Sequence, residues 1–344
     1  MIGTGGVAGT AGTAGGAGAG GAGAIGGAGG RPPMATIVEF RLPTTASRPA
    51  GIVAAADGNL YFTEYQTNRI ARITTAGAIT ELPVLPNDLA YPDKIIYGPD
   101  GNLWLIPTIG NRLARVTLAG VVTELPVLSK ATDSTINSVP FDLTKGPDGN
   151  IWFTEEKGNR IGMLTLTGGL TELPVLPAST VPIGITAGPD GNLWFAEYSA
   201  NKIAAMTTNG AMVAEFPVPT ASAGPTFITA GPDGNLWFSE GNVDQVGRIT
   251  PTGTITEFPL PPTGLLNRAT PNQIITGPDG NIWFCEANAN EIGRLTPQGD
   301  LTEFSVPSSE ANDFYLTAGP DGNIWFTETD GNQIGRLTLG SNAN

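Results

Sequence analysis

The chain has 344 residues, with 17 basic against 31 acidic side chains and a formal net charge of −14. That balance repels nucleic-acid phosphates and anionic membrane surfaces, and no Lys/Arg cluster offsets it locally, so no nucleic-acid partner is expected. Histidine is absent altogether, which removes Ser-His-Asp and Cys-His catalysis and the ordinary zinc sites.

Residues 1–30 hold 15 glycines and 8 alanines and carry no charge. Such a segment cannot offset its ordering entropy by burial, so 1–33 is expected to be a flexible leader. It lacks the basic and continuous apolar regions of a secretory signal. Its runs GTAGTAGGAGAGGAGA and IGGAGG resemble the Gly-Ala-rich tracts of PE-PGRS proteins. An equal alternative makes Met34 the true start, with the leader a translated upstream stretch. No later apolar run approaches the roughly 20 residues that span a bilayer, so no membrane insertion is expected.

From residue 36 the chain repeats. Asp-Gly-Asn begins at Asp57, Asp100, Asp148, Asp190, Asp233, Asp279 and Asp321, at intervals of 42 to 48 residues. Seven copies at that period predict an all-β, seven-bladed propeller over 34–340, with 341–344 as a tail. Within the copy Phe227–Leu260, FITAG, LWFSE, QVGRIT and ITEFPLP are four predicted strands. PDGN and PTGT supply turns in which glycine is free to take positive φ. The last copy stops after IGRLTL and lacks a fourth strand. TIVEFRLP, Thr36–Pro43, carries the missing pattern, so the N-terminal strand is predicted to complete the last blade and close the ring.

In a ring of copies, a residue found in nearly every blade is scaffold. Trp104, Trp152, Trp194, Trp237, Trp283 and Trp325 share one motif position, held by Tyr61 in the first blade. They are expected to pack between blades. Glu64, Glu155, Glu197, Glu240, Glu286 and Glu328 end the second strands. With Asn68, Asn111, Asn159, Asn201, Asp244, Asn290 and Asn332 they are expected to cap loop amides. Arg72, Arg115, Arg248, Arg294 and Arg336 should form exposed cross-strand pairs with a second series, Glu39, Glu81, Glu124, Glu172, Glu215, Glu257 and Glu303. The lone Cys285 replaces threonine or serine of other copies, which predicts a small buried side chain and no disulfide.

Function is expected where copies disagree. The first strands start with Ala50-Gly51, Asp93-Lys94, Phe141-Asp142, Ile183-Gly184, Thr226-Phe227, Asn272-Gln273 and Phe314-Tyr315, all at one mouth of the central channel. Asp93, Lys94, Asp142, Asn272, Gln273 and Tyr315 are therefore the candidate ligand-binding residues. Asp93 and Asp142 are the candidates for holding Mg²⁺ or Ca²⁺. Two longer connections, Pro126–Asp142 and Pro259–Gln273, should shape the rim.

The motifs GPDGNLWFSE (231–240) and GPDGNIWFTE (319–328), with IGRLT and ITEFPLP following in their blades, closely resemble the virginiamycin B lyases over about 36–340. The resemblance implies Mg²⁺-supported elimination that linearises streptogramin B-type cyclic depsipeptides. A base would take the proton α to the ester carbonyl while the metal polarises that carbonyl. It also places the family's histidines at Asn272 and Phe314, a tyrosine at Ala50, and a glutamate at Asn312. A further glutamate falls at Thr329 or Asp330. None of Ala50, Asn272 and Phe314 can act as a base near neutrality, so no catalytic residue is supported.

Two functions stay open. One is a monomeric binding module for a small molecule, glycan or protein at the channel mouth. The other is a Mg-dependent carbon–oxygen lyase with a different base, such as Lys94. Resemblance to the lyases implies the cytoplasm, whereas a PE-PGRS-like leader implies the cell envelope or secretion.

Overall fold

The structure is a computed structural model and describes residues 35–128, 138–173, 176–177, 180–262, 268–308 and 315–340. The leader, the C-terminal tail, Asn312 and Phe314 lie outside the described residues.

The described residues form seven four-stranded antiparallel sheets. Six of them take their strands in chain order: blade one 49–81, two 92–127, three 140–172, four 182–217, five 225–259 and six 271–305. Blade seven combines 316–339 with the N-terminal strand Ala35–Arg41, which pairs with Gln333–Leu339 from Ala35↔Leu339 to Arg41↔Gln333. The expected closure is therefore present, and the last blade gains the outer strand its own copy lacks.

The repeated motif builds each blade boundary. The turn Asp accepts the indole N–H of the tryptophan four residues on, at 2.9–3.1 Å in six blades. Tyr61 reaches Asp57 in the same way at 3.0 Å. The ring so fixed packs against the next blade: Trp237 with Ile282 and Phe284, Trp325 with Leu60 and Phe62. A fully buried aromatic of this kind contributes about 2–3 kcal/mol. The glycine opening the motif lets the indole lie flat, since a Cβ on Gly319 would sit 2.4 Å from the Trp325 ring.

Two scaffold expectations are corrected. The arginines do not pair with the outer glutamates. Their register partners there are threonines, as in Arg115↔Thr123, Arg248↔Thr256 and Arg294↔Thr302. The glutamate one residue on points to the opposite face of the sheet. The arginines instead meet the turn aspartates, Arg294–Asp279 at 2.8 Å and Arg115–Asp100 at 3.5 Å, and lie over the tryptophan rings.

The strand-end glutamates are not an exposed capping series either. All six are 0% exposed, and Glu197 and Glu240 have no hydrogen-bond donor on either carboxyl oxygen. Capping falls to the Asn series alone. Asn159 takes φ 53°, donates to the carbonyls of Leu176 and Pro177, and accepts the amide of Val181 in the next blade.

Candidate functional site at the channel mouth

Five of the first strands begin with a strained residue, a proline and a bulge. Arg48, Tyr91, Val139, Val181 and Thr270 all take φ between 52° and 57°, a region costly for side chains with a Cβ and worst for β-branched ones. For four of them the Asn series of the preceding blade offsets that cost by accepting their amides: Asn332 for Arg48, Asn111 for Val139, Asn159 for Val181 and Asp244 for Thr270. After the proline the ladder breaks between Pro49 and Ile52, Pro92 and Ile95, Pro140 and Leu143, and Pro271 and Ile274. The unpaired residues between are the pairs that differ among the copies. A bulge re-aims side chains out of the ladder, here toward the channel.

Around blades six, seven, one and two these side chains enclose a cavity of about 420 Å³. Blade six contributes Asn272 and Gln273, blade seven Tyr315 and Thr329, blade two Asp93. Blade one adds Arg48, Ala50 and Tyr65. The Tyr315 hydroxyl donates to Asp93 Oδ1 at 2.9 Å, linking blades seven and two. Gln273 Oε1 accepts the Leu316 amide. Arg48 pairs with Asp330 at 3.0 Å, and Thr329 donates to the Pro49 carbonyl at 2.7 Å.

Four of the six predicted binding residues, Asp93, Asn272, Gln273 and Tyr315, thus share one cavity wall. Lys94 and Asp142 do not line it. Their side chains are 7% and 14% exposed and form an ion pair across blades two and three at 3.6 Å. The Lys94 ammonium also lies 3.9 Å from the Phe227 ring centroid and 4.6 Å from that of Tyr315. Asp142 Oδ2 accepts the Ile185 amide at 3.1 Å. Burial pushes the Asp142 carboxyl above its ordinary range, and Lys94 and the backbone donors only partly oppose it.

Arg48, Tyr65 and Thr329 were not among the predicted binding residues. Arg48 had a sequence signal: it is the one charged residue directly before a first-strand proline. Tyr65 and Thr329 each follow a strand-end glutamate, a position that also varies between copies. Residues 129–137 and 263–267 of the two rim connections that were expected to shape the mouth lie outside the described residues.

A resident Mg²⁺ does not fit this donor set. Magnesium takes near-octahedral oxygen ligands with one or two carboxylates, whereas the cavity offers one carboxylate, Asp93, already receiving a hydroxyl, beside a guanidinium. Asp142 is committed to Lys94 and Ile185. Among the described residues the one group of three carboxyls close enough for a cation, within 4.8 Å, is Glu286, Glu291 and Glu303, which are not among the cavity's lining residues.

Fold and mouth together define a seven-bladed propeller with a small-molecule-sized polar cavity at one end of its channel. The family description "Virginiamycin B lyase family" matches residues 29–134 and 127–343, and the chain belongs to that family. It is similar to a streptogramin B lyase structure at 34% identity, covering 89% of this chain and 98% of that one, with a TM-score of 0.80. The virginiamycin B lyase of Staphylococcus aureus is similar at 35% identity over 89% of this chain and all (100%) of that one, with a TM-score of 0.79. A catalytically inactive histidine-to-alanine variant of the S. aureus enzyme, solved with quinupristin, is similar at 36% identity, 89% and 100% coverage and a TM-score of 0.80. No curated protein matches the chain.

Proposed function

We propose that this chain is a binding member of the virginiamycin B lyase family, taking a polar, amide-bearing small molecule at the channel mouth without eliminating it. The observation that carries this reading is the composition of the cavity wall. Where the family resemblance places a histidine and a tyrosine, the wall has Asn272 and Ala50, and its lone carboxylate receives the Tyr315 hydroxyl. Elimination needs a base within hydrogen-bond reach of the substrate proton, and amides and an alanine methyl supply none. The inactive S. aureus variant, in which alanine replaces one histidine, is described with quinupristin. In that relative, loss of a histidine and of activity goes together with presence of the ligand. A cavity of about 420 Å³ falls within the usual size of small-molecule sites.

The second reading, a lyase using Lys94 as base, is opposed by the lysine's absence from the cavity lining, its ammonium facing Asp142 and Phe227. Incubation with quinupristin, followed by calorimetry and mass spectrometry, tests both. Saturable binding with intact ligand is expected, weakened at least tenfold by Asn272→Ala. A ring-opened product of unchanged mass overturns the binding-only reading. Absence of both binding and product overturns the assigned ligand class.

A further inference from the structure

The strand-end glutamates set a charge problem that the blades meet differently. In each of six blades the buried glutamate lies two residues beyond a phenylalanine whose third-strand register partner is Gly or Ala. On the other side of that small residue stands an outer-strand glutamate: Ala71↔Glu81, Gly162↔Glu172, Ala204↔Glu215, Gly247↔Glu257, Gly293↔Glu303 and Gly335↔Glu39. Two carboxyls thus share one face with no side chain between them. Blades one, three and four add a cation from the start of the third strand: Arg69–Glu81 at 2.8 Å, Arg160–Glu172 at 3.9 Å and Lys202–Glu215 at 2.8 Å. Blades five and seven have Gln245 and Gln333 at that place.

In blade five Glu240 is 0% exposed and neither oxygen has a donor. The groups facing it are Glu257, Gln245, and the Asp244–Arg268 pair at 3.2 Å, whose members also bond the Thr270 amide and the Gly241 carbonyl. Glu257 is anchored by the amide and hydroxyl of Thr220 at 2.9 and 3.0 Å. In blade seven Glu328 is equally buried, with Oε1 lacking a donor and Oε2 accepting Gln333 Nε2 at 3.2 Å. Facing it are Glu39 and the exposed Arg41 of the closing strand, Gln333, Ser308, and the Arg48–Asp330 pair. Glu39 accepts the Ser308 amide at 2.9 Å.

We propose that Glu240 and Glu328 carry protons in the folded ring, each beside the outer-strand carboxyl of Glu257 or Glu39, and that the Glu328 proton latches the N-terminal closing strand. A buried carboxyl without donors is costly only when ionised, so a proton taken from solvent removes the penalty. Loss of the blade-seven proton sets two like charges across Gly335, one of them on the strand that closes the ring. Burial first, and the outer glutamate second, push Glu240 up to about 8 and Glu328 up to about 7. Because the folded values are raised, the added stability is full below the ordinary glutamate range and is lost as pH rises through about 7 to about 8.

The full chain, wild type and with Glu240→Gln or Glu328→Gln, is unfolded in urea from about pH 6 to about pH 9. The wild-type unfolding constant should rise with pH, by up to about tenfold per unit for each group still protonated. Each glutamine should flatten that rise. Glu328→Gln should also abolish an alkaline increase in proteolysis within 35–48. A flat or falling wild-type profile, or variants that keep its slope, overturns the proposal. Should one variant fail to fold, the protonated-carboxyl infrared band decides with the other: near pH 6 it should be weaker in that variant than in the wild type, and an equal band overturns the proposal.

Discussion

Two sets of carboxyl groups are buried in this ring, and they are stabilised in different ways. At the channel, Asp142 has an ammonium 3.6 Å away and a backbone amide at 3.1 Å, both from other blades. At the strand ends, Glu197 and Glu240 have no donor on either oxygen. The difference lies in the backbone. A bulge frees the residue before each first-strand core to reach across the channel, where six other blades converge. The end of a second strand faces its own hairpin, whose register delivers a glycine and another glutamate. A propeller therefore pairs buried charge readily at its axis and poorly within a blade.

Removing one member of the axial pair should have the largest effect. Lys94→Met leaves Asp142 without its ammonium, and breaking such a pair typically costs about 3–5 kcal/mol. The measurement is the urea midpoint near neutral pH. The double change Lys94→Met with Asp142→Leu should recover most of the loss, because it is the unpaired charge that is costly. A similar loss in single and double variants would mean that packing against Phe227, and not charge, holds the centre.

The inter-blade straps come next. Asn159 supplies three hydrogen bonds and takes φ 53°, and it accepts the amide of Val181, itself at φ 54°. Asn159→Ala should cost about 2 kcal/mol, from the lost bonds and a left-handed alanine. Asn159→Gly relieves the backbone part and should cost measurably less. Equal losses would assign the whole effect to hydrogen bonding.

These contrasts mark what the sequence made legible. The period, the four segments per copy and the missing last strand specified the ring and its closure, because each is written in local pattern. The mouth was legible as the place where copies differ, since divergent pairs coincide with the bulges. Which member of a pair turns into the cavity was not. Asp93 lines it while its neighbour Lys94 turns to Asp142, 48 positions away, and no local pattern encodes that meeting. The strand-end glutamates were misjudged for a related reason. A charged residue ending a strand suggests solvent, and it is the outer strand and the following connection that bury it. The arginines were set opposite the glutamates by proximity in sequence, when a one-residue offset places them on the other face.

The smallest effect tests whether the within-blade problem can be solved locally. In blades three and four, Arg160 and Lys202 stand near the pair, and Glu155 and Glu197 are pushed by burial up to about 7. In blade five, where Gln245 replaces the cation, burial and Glu257 push Glu240 up to about 8. Blade seven also has a glutamine at that place, but Ser308 and Gln333 donate to Glu328, which reaches about 7. Gln245→Arg should therefore bring Glu240 down toward the level of blades three and four. Because the added guanidinium would sit at a partly exposed position, its gain should stay below about 1 kcal/mol. The sign depends on pH: near pH 6 Glu240 is protonated in both proteins and their midpoints should coincide, while near pH 9 the variant should be the more stable. Equal midpoints at both pH values would mean that the arginine pairs with Glu257 alone and leaves the buried carboxyl as it was.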